Sequence, residues 1–223
     1  AEDGIRDRDV TEFRRVLFRS ADASDNPGGG APGNATFVLE ALLAAGVTDV
    51  VMGLQHDRAV VDAAWAAGEG ARLELEFNRG STRPLARPLA ATATVLSLVD
   101  APLVPTKGVY AGARRPVGRC CALDLGGIRI AVSSTPAQCA DDDSLRHVGL
   151  DPATARVVVV KSRGHFRAGF AHLFADDQIV EVGAPGVATV DIHSVQWQHL
   201  PRPVFPFDEI DDWQPTVQLH RRQ

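Results

Sequence analysis

The stretch Asp25-Asn26-Pro27-Gly28-Gly29-Gly30-Ala31-Pro32-Gly33-Asn34 is followed at once by an apolar run that extends to Gly46. Three consecutive glycines carry no Cβ atoms to shield the backbone, so their N–H groups can turn toward a bound group. Residues 37–45 predict a mostly buried helix, which Gly46 would end in a left-handed conformation. A glycine loop that leads into a helix N-terminus favours anion binding, because unpaired N–H groups and the helix dipole point the same way. A tight turn that lets a buried helix approach a sheet explains the same residues equally well.

The rest of the chain predicts an α/β protein. Short runs of consecutive apolar residues within 47–54 and 156–160 are typical of strands that are buried on both faces, and the spacing at 58–67 predicts a helix between them. From residue 71 the pattern changes to alternation, which predicts strands with one solvated face, and Gly126-Gly127 predicts a hairpin turn. Further strands are predicted at 91–99, 118–125, 128–133 and 178–182, and further helices at 144–149 and 166–174. The fold class is therefore α/β, a layered mixed sheet with helices packed on it and an antiparallel β insertion in the middle of the chain.

Composition limits the partners and the compartment. The 223 residues carry a formal charge of −5 with no basic face, which argues against a nucleic-acid partner. No apolar stretch reaches the roughly 18 residues that span a bilayer, so no membrane partner is expected. Cys120, Cys121 and Cys139 are few and odd in number, which favours a reducing compartment, and we expect a cytoplasmic protein.

The two ends of the chain differ from its middle. Residues 1–20 carry five Arg and five Asp or Glu and resemble translated sequencing-linker read-through, so we expect a non-native leader there. Residues 21–210 are predicted to form the domain, and residues 211–223 a frayed tail.

A second candidate loop, Lys161 to His165, follows the valine strand. Ligands of open α/β sheets bind beyond the carboxyl ends of the strands. Lys161 and Ser162 could hold a carboxylate or phosphate there, while His165 could carry a proton or polarise a bond. Alternatively, Lys161 reaches solvent, Ser162 caps the next helix and His165 packs beside Phe166.

Complete catalytic motifs are missing from the sequence. There is no H-E-x-x-H, and the donors Asp191, His193 and His199 lie in a proline-rich tail without a rigid element to hold a metal geometry. There is no G-x-S-x-G elbow either, and the pair Cys120-Cys121 is predicted in a strand, where at least one of the two thiols should pack as an inert buried group.

Three motifs follow one another along residues 22–210. They are the glycine stretch, the valine strand with Lys161-Ser162 and His165-Phe166-Arg167, and Leu200-Pro201-Arg202-Pro203-Val204-Phe205-Pro206-Phe207-Asp208. Together they resemble the C-terminal domain of the MlrC family, the microcystin-degradation metallopeptidases.

The resemblance implies a two-domain zinc-dependent enzyme that hydrolyses a peptide or small amide with a zinc-activated water. The metal ligands would belong to an N-terminal domain that precedes the glycine motif, so no zinc is expected in this chain alone. This chain would then be the C-terminal domain without its N-terminal partner, one wall of the substrate cleft and inactive by itself. The implied catalytic residue is His165, and the implied substrate-binding residues are Asp25, Asn26, Gly28, Gly29, Gly30, Lys161 and Ser162.

Two other functions fit the sequence. One is a stand-alone α/β module that binds a small anionic ligand at the glycine loop. The other is a structural dimerisation domain, and a homo-oligomer is compatible with each function.

Overall fold

The computed structural model describes residues 18–83, 85–211 and 214. The eight strands of these residues form one sheet and are β1 (Phe18–Asp22), β2 (Val50–His56), β3 (Arg72–Phe77), β4 (Leu89–Val99), β5 (Cys120–Asp124), β6 (Ile128–Ser133), β7 (Val157–Val160) and β8 (Ile179–Val182). The α-helices are α1 (Phe37–Ala44), α2 (Arg58–Ala67), α3 (Asp143–Arg146) and α4 (Phe166–Phe170). Two compact units divide at residue 190, and the sheet lies in the first.

The sheet has a parallel half and an antiparallel half. Its strand order is β3-β4-β5-β6-β2-β7-β1-β8. Strands β6, β2, β7, β1 and β8 pair in parallel, whereas β3, β4, β5 and β6 pair as successive antiparallel neighbours. The predicted α/β class and the antiparallel insertion in the middle of the chain are both confirmed.

Helices cover both faces of the sheet because successive strand residues point in opposite directions. Val50 and Met52 of β2 pack in one core with residues of α1 and α2, while Val51 and Leu54 pack in a second core with residues of α3 and α4. This burial on both sides explains the continuous apolar runs of β2 and β7, as expected for parallel strands inside a layered protein.

Glycines end helix α1 and form the β5–β6 turn at the positions predicted from the sequence. Gly46 follows the last turn of α1 with φ of 62°, a left-handed conformation that glycine adopts without strain. Gly126 and Gly127 join β5 to β6 with φ of 79° and 104°, as a two-residue hairpin with both central residues at positive φ requires.

Strand β1 was not predicted, and its first three residues, 18–20, fall in the expected leader. The strand pairs on both edges, with Ala21 opposite Val160 of β7 and Glu181 of β8. Its described side chains, Ser20 to Asp22, are small or acidic and offer no apolar run to reveal a buried strand. Residues 1–17 and most of the expected frayed tail lie outside the described residues, so the origin of the leader and the fraying stay predictions.

The second unit begins at Asp191 and has its own local contacts. The Trp197 indole donates to the carbonyl oxygen of Ile192 at 2.8 Å, and the ring of Phe207 lies 4.8 Å from the His193 ring. An ion pair joins Arg202 to Asp208. The Leu200 to Asp208 motif therefore belongs to this unit.

Gly169 offers a test of the packing of α4. A Cβ at this position would lie 2.3 Å from the Ala140 carbonyl oxygen and 2.6 Å from Asp141 Cα, both backbone atoms. Gly164, at the turn before α4, has open space around it. We expect Gly169→Ala to lower the free energy of unfolding in urea by about 1–3 kcal/mol through overpacking, and Gly164→Ala to change it by less than about 0.5 kcal/mol. Equal values for the two variants would contradict the close approach of α4 to residues 140–141.

Candidate functional site

The loops that carry the predicted site residues lie at one edge of the sheet. Because β6, β2, β7 and β1 are parallel, their carboxyl ends meet there, and β4 points the same way since both β4 and β6 are antiparallel to β5. We name these segments the glycine loop (25–34), the Gln138 loop (134–142), the Lys161 loop (161–165) and loop 100–119. Ligands of open α/β sheets bind at this edge.

Lys161 joins the Lys161 loop to the glycine loop. Its side chain is fully buried, and Nζ donates to Asp25 Oδ2 at 2.8 Å and to Asp22 Oδ2 at 3.2 Å. The third bond goes to the carbonyl oxygen of Ala35 at 2.8 Å. An ammonium group has three N–H donors, so every donor of Lys161 has a partner within the protein.

Asp25 in turn closes the glycine loop on itself. Its Oδ1 accepts from the N–H of Gly33 at 3.0 Å, and its Oδ2 accepts from the N–H of Ala35 at 2.7 Å. Only 1% of Asp25 is exposed. The prediction that Asp25 and Lys161 bind substrate stays a prediction, and a direct contact with either side chain would require the loop to open.

The three glycines are exposed, but their N–H groups are already used. Gly28 donates to Asn26 Oδ1 at 2.9 Å, Gly29 to the Asn26 carbonyl oxygen at 2.9 Å, and Gly30 to the Pro27 carbonyl oxygen at 3.1 Å. Asn26 caps this 3-10 turn from a nearly buried position. The glycine loop therefore presents bare backbone to solvent rather than a cradle of free N–H groups.

Gln138 lies at the centre of a polar cluster that sequence reasoning missed. Its Oε1 lies 3.0 Å from His165 Nδ1 and accepts from the Tyr110 hydroxyl at 3.2 Å, while its Nε2 donates to Ser162 Oγ at 2.9 Å. A Cβ on Gly28 would come within 2.4 Å of Oε1, so the glycine turn packs directly on this carboxamide. The cluster brings together predicted residues of the glycine loop and the Lys161 loop.

Loop 100–119 supplies Tyr110 to the cluster and is itself anchored. The Arg115 guanidinium lies over the Tyr110 ring at 4.3 Å and donates to the Gln138 carbonyl oxygen at 3.0 Å. Asp143 at the start of α3 accepts from both the N–H and the hydroxyl of Thr106, at 2.6 and 2.7 Å. Tyr110 thus stands edge-on to the exposed His165, with 6.1 Å between ring centroids.

Gln138, Tyr110 and Arg115 belong to no motif in the sequence. For Gln138 the available signal was position, because it follows the predicted strand 128–133 and such loops reach the carboxyl edge. For Tyr110 and Arg115 it was the length of the aperiodic stretch 103–115, which is long enough for a functional or mobile loop. Tyr110 and Arg115 lie in a loop of the antiparallel insertion, whose direction the sequence pattern leaves open.

The cysteines carry no nucleophile. All three are free and buried, and burial raises the pKa of both Cys120 and Cys121 to about 12. Burial also raises the pKa of Cys139 well above its ordinary value. Neutral thiols result; at least one of Cys120 and Cys121 was expected to be buried and inert, and both are buried in β5.

The described residues do not fit a zinc centre. Among residues 18–83, 85–211 and 214, no three His, Cys, Asp or Glu side chains lie close enough together to hold a metal ion. This includes the tail donors Asp191, His193 and His199, and the His193 ring packs on Phe207 instead.

An apolar groove of about 820 Å³ lies between α1 and strands β1, β7 and β8. Phe37, Leu42, Val157 and Val182 are among its lining residues, and it contains none of the polar cluster around Gln138.

None of the helices in the described parts of the chain is long and apolar enough to cross a bilayer.

Fold and site define an α/β domain with a polar cluster at the carboxyl edge of a mixed sheet. The chain belongs to the family described as MlrC C-terminus, whose sequence profile matches residues 21–199. The family that the three motifs resembled is thereby confirmed.

Two relatives are much longer than this chain. Microcystinase C of Sphingomonas sp. is 28% identical over 189 residues, which make up 85% of this chain and 35% of the relative. A crystal structure from Mesorhizobium sp. BNC1, described as that of a metallopeptidase, matches with a TM-score of 0.76 and 22% identity over 93% of this chain and 41% of its own. The second match shows a shared fold, and the chain spans less than half the length of either relative.

Chemical labelling can test the burial of Lys161, because the chain has one other lysine, Lys107, whose side chain is 45% exposed. We expect an amine-acylating reagent to modify Lys107 in the folded protein and to leave Lys161 unmodified until urea unfolds the chain. Peptide mass spectrometry reads both sites in one sample. Equal labelling of the two lysines in the folded protein would contradict the buried contacts of Lys161.

Substitution tests the energetic weight of the same contacts. Lys161→Met leaves Asp22 and Asp25 buried without their cation, and we expect it to lower the free energy of unfolding by about 3–5 kcal/mol. Lys107→Met is the matched control, with an expected loss of less than about 1 kcal/mol, because Arg146 still pairs with Asp142, the partner of Lys107. Urea unfolding followed by circular dichroism measures both values, and a loss at Lys161 no larger than the control would refute the anchoring role.

Proposed function

We propose that this chain is the C-terminal domain of a zinc-dependent metallopeptidase or amidohydrolase and forms one wall of its substrate cleft. The observation that carries the proposal is the convergence of the exposed glycines and the exposed His165 on buried Gln138 at the carboxyl edge of the sheet. The names of the two longer relatives support peptide or amide hydrolysis. We place the zinc ligands in the N-terminal part of such longer proteins, since the described residues here hold no metal cluster.

The contacts suggest how the predicted residues divide the work. Lys161, Asp25 and Asn26 hold the glycine loop from beneath, because their polar atoms bond within the protein. Gly28 to Gly30 offer a surface without side chains, along which an extended peptide can approach the backbone closely. Ser162 supports Gln138 from its buried position.

His165 is the side chain of this cluster that we propose to contact the reacting amide. It is exposed, and its Nδ1 is bonded to Gln138, so the ring has a fixed direction while its other edge is open. An imidazole held in this way can exchange a proton with the substrate or polarise the scissile bond.

The three free cysteines agree with a cytoplasmic setting for the protein.

An independent anion-binding module has less support. The N–H groups of Gly28, Gly29 and Gly30 donate within the loop, and the ammonium of Lys161 is buried with its three bonds made. A small anion at this loop would have to displace those contacts.

A chimera tests the proposal directly. Residues 21–199 replace the matched part of microcystinase C, and the chimera and the present chain are compared for bound metal and for hydrolysis of peptides that microcystinase C cleaves. We expect the chimera to bind metal and to hydrolyse the peptides, and the present chain to do neither. Tight stoichiometric metal on the present chain, or a folded and metal-loaded chimera without hydrolysis, would refute the proposal.

His165 can be tested in the same chimera. We expect His165→Gln to lower kcat by about 100-fold or more, the usual contribution of a positioned proton carrier. Arg163→Gln, an exposed position two residues earlier, is the matched control and should leave kcat unchanged. Circular dichroism of both variants checks the fold, and equal kcat values in folded variants would remove His165 from the mechanism.

A further inference from the structure

The carboxamide of Gln138 lies between the Tyr110 phenol and the His165 imidazole, and each of these groups can either donate or accept a hydrogen bond. The phenol of Tyr110 lies 3.2 Å from Oε1, and His165 Nδ1 lies 3.0 Å from the same atom. The opposite end, Nε2, donates to Ser162 Oγ at 2.9 Å. All of these groups belong to the cluster at the carboxyl edge.

We propose that Gln138 is a positioning residue that fixes His165 in the tautomer with the proton on Nδ1. An amide oxygen has lone pairs and no proton, so an imidazole nitrogen bonded to it has to be the donor. The neutral ring then carries its proton on Nδ1 and a free lone pair on Nε2.

Tyr110 decides which end of the carboxamide faces His165. A phenol is a better hydrogen-bond donor than acceptor, so it favours the oxygen of Gln138 over the NH2 group. Ser162 is neutral in this choice, because a hydroxyl both donates and accepts. By turning Oε1 toward itself and His165, the Tyr110 hydroxyl therefore leaves His165 Nδ1 facing an acceptor, and this selects the Nδ1–H tautomer.

Packing fixes the position of the carboxamide, and the bond from Tyr110 then decides which end faces His165. Gln138 is 3% exposed, and its backbone carbonyl oxygen accepts from the Arg115 guanidinium at 3.0 Å. The position of a Cβ on Gly28 would be 2.4 Å from Oε1 and 2.9 Å from Nε2, so the glycine turn closes over the side chain. Glycine at position 28 is thus required by the place of the carboxamide, whichever of its ends faces His165.

The consequence is an exposed imidazole that presents a proton acceptor rather than a donor. Nδ1 is tied to the buried carboxamide, and Nε2 lies on the opposite edge of the ring of an exposed residue. The use of this lone pair on a substrate rests on the proposed function, whereas the tautomer is a property of the chain itself. Fixing a histidine tautomer through the second ring nitrogen is a general device of reactive histidines.

Nitrogen NMR of the full 223-residue chain tests the inference. At a pH where the ring is neutral, two-bond 1H–15N spectra distinguish a protonated ring nitrogen from a bare one, and loss of the signal in His165→Gln assigns the residue. We expect a protonated-type shift for Nδ1 and a bare-type shift for Nε2. The reverse pattern in the unsubstituted protein would overturn the inference without need of any further variant.

Substitutions separate the role of Gln138 from general packing. We expect Gln138→Glu to keep the Nδ1–H tautomer, since a carboxylate oxygen also accepts, and Gln138→Leu to shift the population to Nε2–H, the form that a free histidine side chain prefers. Tyr110→Phe should shift it partly, because the carboxamide can then turn. Arg163→Gln is the control on the same loop, with no expected change, and an unchanged tautomer in folded Gln138→Leu would overturn the inference.

The outcome is independent of the chimera. An Nδ1–H tautomer together with full turnover in the His165→Gln chimera would leave the positioning by Gln138 intact and refute the catalytic use of the lone pair. An Nε2–H tautomer together with loss of turnover would do the opposite.

Discussion

The buried contact of Lys161 with Asp22 and Asp25 is the interaction on which the candidate site depends. Removing three charges from water is costly, and the cost is offset only where the geometry leaves no donor or acceptor without a partner. Here the ammonium makes three bonds, and Asp25 accepts two further backbone N–H groups. The contact joins the carboxyl ends of β1 and β7 and fixes the path of the glycine loop between them.

With the glycine loop fixed by Lys161, its three glycines form a tight turn rather than an anion-binding loop. Their sequence pattern is shared by anion-binding loops and by tight turns, and the hydrogen bonds within the loop favour the turn. Gly30 adopts φ of 91°, and Gly28 leaves room for the Gln138 carboxamide. The residues that looked like ligands from the sequence, Lys161 and Asp25, thus bond within the protein, whereas His165 is exposed.

Continuous and alternating apolar patterns allowed most of the fold to be predicted, including α2 and β6 to the residue. Strand β1 escaped because its burial depends on two neighbours in the sheet rather than on its own apolar residues. It was also predictable that loops which follow parallel strands lie together at the carboxyl edge of the sheet, since this follows from parallel pairing. Gln138 and Tyr110 were not, because their contacts join loops 27 or 28 residues apart along the chain that carry no periodicity.

The site therefore has a rigid interior and a sparse exposed surface. Buried groups from β1, the Lys161 loop and the Gln138 loop hold one another, while the three glycines and His165 are exposed and Tyr110 is half-buried. Precise support of a reactive side chain requires such an arrangement, because a ring on an unsupported loop would sample many directions. The exposed His165 ring has such support, because its Nδ1 is bonded to a carboxamide that is buried and held in turn by Ser162.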